Sequence, residues 1–310
     1  MSPSPKSDSR AAPRTGPAPS RRAHPTLRLN ATLACDTAFR VIARRYLGNL
    51  TANHEAACQG DSEAVHQMRV ALTHLRAAIL FFSPMVADSQ RTHIRDELKW
   101  LNGHLGAVRD LDVAIDRLQA INEKHPQPAP YCRPWNEKRT ASHRLLARAL
   151  RSARYRRLVK NTSGWIENGP WSIKQGKQAA KERASPIAAY SADKLARWRQ
   201  KLLKKSRNLL KMDAKKRHRL RLLNKKLTCS IEFFQDLFAD KRFSRHQAAL
   251  KNLRKAQKSL GQLNDYEKGR TLAAALQRDD IHAPMQFLRP KREIRLLRNA
   301  EAAYRKLAKK

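Results

Sequence analysis

Two stretches of the chain repeat one pattern, and that duplication limits the fold more than any other feature. VHQMRVALTHLRAAILFF runs from Val65 to Phe82, and RHRLRLLNKKLTCSIEFF runs from Arg217 to Phe234, 152 residues later. Each places a His three residues before an Arg, continues through basic and apolar positions, and ends in Phe-Phe. At about 100° per residue, Arg69, Thr73 and Arg76 fall within roughly 80° of His66 on a helix surface. Met68, Leu72, Leu75, Ile79 and Phe82 fall roughly 160–240° away, on the opposite side. In the second stretch His218, Arg221 and Lys225 share one strip, while Leu220, Leu227, Ile231 and Phe234 take the apolar side. A chain that builds one amphipathic helix twice, with the same division of faces, is expected to contain two copies of one helical unit.

The correspondence extends further. Leu105-Gly106-Ala107-Val108-Arg109-Asp110 matches Leu260-Gly261-Gln262-Leu263-Asn264-Asp265, with the segment between motifs three residues longer in the second copy. Ten glycines in 310 residues and the absence of alternating β-branched runs make the chain all-α. Helices are predicted over 29–52, 61–83, 89–123, 136–161, 176–212, 213–238, 244–276 and 291–309. Breaks are expected at Ser83-Pro84, at His125-Pro126-Gln127-Pro128, at Asn168-Gly169-Pro170 and at His282-Ala283-Pro284. Asp61 and Asp213 stand where they can cap the two repeated helices. Residues 1–26 are rich in Pro, Ser, Ala and Arg and lack large aliphatic residues after Met1, so a disordered basic tail is expected there. The first helical repeat then spans 27–170 and the second 176–310.

Charge decides which partners are plausible. Sixty-five Lys and Arg against 26 Asp and Glu give a formal charge of +39, far more than a small acidic metabolite requires. Polyanions are the expected partners: nucleic acid, an anionic surface or a polymeric phosphate. Cys35, Cys58, Cys132 and Cys229 are scattered, with no C-x-x-C pair, which argues against a disulfide framework and a structural zinc site. A reducing cytoplasm is the simplest location. No apolar run reaches about 18 residues, so no membrane span is expected. Walker loops, Gly-rich phosphate loops and G-x-S-x-G elements are absent, and the chain reads as a non-enzyme with no cofactor. Asp110 and Asp112 do not face the same side of a helix, so these two and Asp116 are expected to pair with Arg109, Arg117 or neighbouring basic helices rather than hold a metal.

Further cationic strips follow helical spacing: Arg144, Arg148 and Arg151; Lys194, Arg197 and Lys201; and Lys251, Arg254 and Lys258 with Lys255. Lys99 is the first-copy counterpart of Arg254, whereas Asp96 and Gly103 replace Lys251 and Lys258. A single strip of this kind is most simply a solvated helix face. Several strips on packed helices would instead line a groove, and the recurrence of the His/Arg helix favours that reading. The Phe-Phe pairs are expected to be core.

On these residues the chain resembles the CHAD domain, the conserved histidine α-helical domain. V-H-x-M-R-V-x-x-x-x-L-R with L-G-x-x-R-D-L-D is similar to its first half, and H-R-L-R-x-x-x-K-K-L with E-F-F and L-G-x-L-N-D to its second. Ser152-Ala153-Arg154-Tyr155 and Trp165 fit its middle, so the likeness covers residues 27–310. It implies two four-helix bundles related by a pseudo-twofold axis, a basic channel between them that binds inorganic polyphosphate, and association with polyphosphate granules. The residues carried over are His66, Arg69, Arg76, His218, Arg221 and Lys225. Thr73-His74 stands where the family usually has two basic residues, and Thr228 where it often has Arg, which thins the lining. The acidic E-x-E-x-K strand of the triphosphate-processing domains that often accompany this family is missing.

Polyphosphate is a flexible thread of anions without bases, and a continuous line of cations suffices to bind it. A polyanion beside His66 and His218 favours their protonated forms, so acidification is expected to tighten binding. The rival partner is nucleic acid, which any chain of this charge binds nonspecifically at low salt.

Overall fold

Short polar side chains set where the helices begin. In the computed structural model, which describes residues 29–122, 133–173, 176–237, 241–277 and 290–309, Asp61 Oδ1 accepts from the backbone N–H groups of Glu63 (2.7 Å) and Ala64 (3.1 Å). Asp213 Oδ1 accepts from the N–H of Lys216 (2.7 Å). Each carboxylate satisfies donors that the first helical turn leaves unpaired, a contribution of about 1 kcal/mol.

Eleven α-helices follow among the described residues. They are α1 (Cys35–Ala52), α2 (His54–Cys58), α3 (Ser62–Phe81), α4 (Gln90–Asn122), α5 (Arg133–Arg151), α6 (Ala153–Asn168), α7 (Lys177–Ala184), α8 (Ile187–Ser206), α9 (Ala214–Phe233), α10 (Lys241–Gln277) and α11 (Pro290–Ala308). No strand is present among the described residues, and the all-α reading holds. The expected tail lies outside the described residues, as does Cys132. The expected helix over 136–161 is two helices, because Ser152 interrupts it: its Oγ donates to the carbonyl of Ala149 and accepts from the N–H of Tyr155, capping α6. The expected helix over 176–212 also divides, at Ser185-Pro186. Proline lacks the N–H a helix interior needs and pushes the preceding residue into extended backbone, and Ser185 sits at φ −68°, ψ 147°.

The faces expected to be apolar are the core. Met68, Leu72, Leu75 and Phe82 are fully buried, as are Leu227 and Phe234. One group of helices packs α1, α3, α4, α5 and α6 together, and another packs α8, α9, α10 and α11. They meet through matching members: α1 with α8, α3 with α9, and α4 with α10. At the centre of this seam the Phe-Phe pairs interlock, with Phe81 5.1 Å and Phe82 6.4 Å from Phe234 between ring centroids. Burying four phenylalanines removes apolar surface worth roughly 1.5–3 kcal/mol each.

The contacts across the seam are reciprocal. Tyr46 of α1 packs on Phe233 of α9 at 5.5 Å, and Trp198 of α8 packs on Phe81 of α3 at the same distance. Three residues touch their own counterparts 152 positions on. Ala34 pairs with Pro186 in an isolated antiparallel bridge, Lys225 Nζ lies 3.4 Å from Thr73 Oγ1, and Phe82 faces Phe234.

Candidate functional site

The α3–α9 seam opens on one side into a cavity of about 580 Å³. Helix α3 contributes Arg69, Thr73 and Arg76, α4 contributes Arg91, Arg95 and Lys99, α9 contributes His218, Arg221, Lys225 and Lys226, and α10 contributes Lys268. Among the described residues, nine lysines and arginines and one histidine therefore share one concavity with a single carboxylate, Asp96. No Phe, Tyr or Trp is among the described residues that line it.

Burial and mutual repulsion act on these cations together. Burial lowers the pKa of Lys225 to about 8, with Arg221, Arg69 and Arg76 adding repulsion. Arg76 is shifted down by burial and then by Arg95, and Arg221 by burial, with Arg69 opposing Asp265 and Asp110. Lys226 is lowered by burial and by Arg76, Lys201 and Arg95. Guanidinium nitrogens in three of the wall's arginines, Arg69 Nη1, Arg91 Nε and Arg221 Nε, are buried without a hydrogen-bond partner. Arg69 Nη1 is 3.5 Å from Asp110 Oδ1, close enough for charge attraction but not aligned as a hydrogen bond. An unpaired buried donor costs roughly 1–3 kcal/mol, which an entering anion would recover.

The carboxylates of the repeated motif hold the back of the site. Asp110 pairs with Arg69 and with Lys268 of α10, and Asp265, its counterpart, accepts from Arg117 Nη2 of α4 at 3.0 Å. Asp112 accepts from Arg139 Nε (2.7 Å). The two motif histidines also have matched neighbours. His218 Nδ1 is 2.8 Å from Asn264 Oδ1, and His66 stands near Arg109, which occupies the position matching Asn264. Burial and then Arg109 lower the pKa of His66, with Arg69 and Lys225 adding to the repulsion and Glu63 opposing it.

Of the residues singled out from sequence, Arg69, Arg76, Lys99, His218, Arg221 and Lys225 line the cavity. His66 does not line it, and stands within electrostatic reach of Arg69 and Lys225, which do. Lys201 is near enough to repel Lys226 at the wall. The other strips do not converge on this concavity. Lys194 is buried, donates to the Tyr190 hydroxyl (2.7 Å) and lies 5.3 Å from the Phe81 ring centroid. Arg197 pairs with Asp193 one turn earlier, and Arg254 is held by Glu232 at 2.7 Å. Arg144, Arg148 and Arg151 on α5, and Lys251 and Lys258 on α10, are exposed and absent from the wall. Among the described residues, the wall of this cavity comes from α3, α4, α9 and α10, together with Ser83 beyond α3.

Sequence reasoning passed over Arg91, Arg95, Lys226 and Lys268. The i, i+4, i+8 spacing of Arg91, Arg95 and Lys99 carried a signal that a comparison restricted to matching positions of α4 and α10 does not show. Asp88 fixes this end of α4, accepting from the N–H groups of Gln90 and Arg91.

The CHAD domain family profile matches residues 41–274. Among solved structures, the chain is similar to the crystal structure of the CHAD domain from the plant Ricinus communis, with 25% identity and a TM-score of 0.74 over 94% of this chain and 97% of that one. It also resembles PptA from Streptomyces chartreusis, with 14% identity and a TM-score of 0.60 over 89% of this chain and 99% of that one, a likeness of fold. No curated protein matches the chain significantly. No described helix is long and apolar enough to cross a membrane.

Proposed function

Because the chain belongs to the CHAD domain family, we propose that it binds inorganic polyphosphate in the cavity between its two repeats, holding the polymer without turning it over. The observation that carries this reading is the wall itself: among the described residues, nine lysines and arginines, one carboxylate, and buried guanidinium nitrogens on Arg69, Arg91 and Arg221 with no hydrogen-bond partner. Buried polar groups are nearly always paired with protein, ordered water or an ion, and a phosphate oxygen suits a charged guanidinium best. Arginine forks grip two phosphate oxygens at once and lysines neutralise the thread between them.

The reciprocal contacts at Ala34–Pro186, Thr73–Lys225 and Phe82–Phe234 support a pseudo-twofold relation between the repeats, since a residue that touches its own counterpart lies on such an axis. A thread crossing that axis would meet similar cations in either direction, which suits a polymer with no chemical polarity. The proposed cellular address is the polyphosphate granule in the cytoplasm.

Nucleic acid is the alternative. Single-strand binders interleave cations with aromatic platforms for the bases, and the described wall has none. The test is competition at about 150 mM salt, where counterion release weakens nonspecific binding. Long-chain polyphosphate is expected to displace a fluorescent polyphosphate probe at least tenfold more effectively, per charge, than single-stranded DNA. Equal displacement per charge would remove the selective reading.

A further inference from the structure

His74 and Cys229 lie 155 residues apart in sequence, and folding brings them together with Glu232 at the seam between α3 and α9. The candidate ligand atoms of the three residues all lie within 4.8 Å of one another. Cys229 and Glu232 are one turn apart on α9, so thiol and carboxylate share a face. His74 Nδ1 bonds the carbonyl of Val70 (2.9 Å), which leaves Nε2 as the nitrogen facing Glu232 Oε2 at 3.1 Å. The Tyr46 ring stacks on the imidazole at 4.7 Å and holds its plane. Arg254 occupies the other carboxylate oxygen, Oε1, at 2.7 Å and leaves Oε2 directed at the histidine.

We propose that His74 Nε2, Cys229 Sγ and Glu232 Oε2 form a binding site for a zinc-type divalent ion, open on its fourth side to the cavity that Cys229 lines. The donor set decides the class of ion. One imidazole, one thiolate and one carboxylate suit Zn²⁺, or Co²⁺ in its place, whereas Mg²⁺ and Ca²⁺ prefer oxygen donors alone. The His–Glu separation is already close to the roughly 3.3–3.7 Å between donors of a tetrahedral site with bonds of about 2.0–2.3 Å. The Val70 carbonyl does for His74 what outer hydrogen bonds do for metal-binding histidines generally, fixing tautomer and ring orientation. Charge also balances: a thiolate and a carboxylate cancel the ion's two positive charges, as a site beside Lys225 and Arg254 requires. Binding releases the thiol proton and the proton shared between His74 and Glu232, and forms three metal–donor bonds. Three protein ligands with one open side are the arrangement that accepts an external oxygen. That the external ligand is a phosphate oxygen of the polymer rests on the function proposed above; the metal site itself does not.

The test uses the full chain carrying Cys132→Ser, to remove a stray thiol, stripped of metal and titrated with Co²⁺. Expected are tetrahedral d–d bands with a thiolate-to-cobalt charge-transfer band, saturating at one equivalent and bleached by Zn²⁺. Cys229→Ser should abolish the charge-transfer band, and His74→Gln and Glu232→Gln should each weaken Co²⁺ binding at least tenfold. Cys58→Ser should leave the spectrum intact, although that thiol also lies 3.7 Å from a histidine nitrogen, on His54. No charge-transfer band at one equivalent, or a band that survives Cys229→Ser, would overturn the proposal. Should Cys229→Ser fail to fold, the parent spectrum and the other two ligand variants decide it. Polyphosphate affinity is measured on the same metal-free sample: binding without the cobalt spectrum removes only the metal site, and the spectrum without polymer binding removes only the cavity reading.

Discussion

At Lys225 the proposed binding role can be told apart from a structural one. It is largely buried beside Arg221 and Arg69, its pKa is lowered to about 8, and its only hydrogen bond among the described contacts is a long one to Thr73 Oγ1. Lys225→Met should therefore raise stability by on the order of 1 kcal/mol, as relief of a strained functional site commonly does. The same change should weaken polyphosphate binding by about 1.5–3 kcal/mol, roughly 10- to 150-fold, the value of a charge-assisted contact. Denaturant melts and calorimetry check the two halves, and a loss of stability would make the residue structural. On the proposed function, His66 is the residue expected to supply a pH dependence. Burial and Arg109 lower its pKa in the free protein, so it is neutral near pH 7, and a polyanion would draw the pKa back up. Affinity should then rise as pH falls from the bound pKa toward the free one, with about one proton taken up per binding event in that window. His66→Gln should flatten this rise. An unchanged slope in that variant would take His66 out of the linkage.

Element by element, the apolar and polar faces of the two similar helices are legible in the sequence wherever they lie within one helix. The expected core faces of α3 and α9 are buried, and both helices run between matching positions, Ser62 to Phe81 and Ala214 to Phe233. The divisions at Ser152 and Ser185-Pro186 were missed because apolar periodicity continues across them, and only the local serine cap and the proline backbone interrupt it. Which strips converge could not be read either. A helical wheel shows that Lys194 and Arg197 share a side, but not that Lys194 turns under Phe81 while Lys226 turns into the cavity. The His74–Glu232 pair joins positions 158 apart and has no local signature. The carboxylates behind the wall give a test at this level. Asp110 holds both Arg69 and Lys268, so it competes with any bound anion for two of the wall's cations. Asp110→Asn should lower stability by about 1 kcal/mol and tighten polyphosphate binding several-fold. Weaker binding would mean that the carboxylate positions those cations rather than occupying them.

At the scale of the whole molecule, a charge of +39 attracts every polyanion, and the proposed function assigns selectivity to the cavity. A fluorescent fusion should collect on polyphosphate granules and disperse in cells that lack the polymer, whereas a protein acting through its net charge would stay on the nucleoid. The central claim, that the polymer occupies the seam between the repeats rather than the basic exterior, is tested most directly by lysine acylation footprinting with and without long-chain polyphosphate at about 150 mM salt. Protection confined to Lys99, Lys226 and Lys268, with Lys204, Lys251 and Lys258 still reactive, is the expected result. Protection spread evenly over the exposed lysines, with no excess at those three, would contradict it.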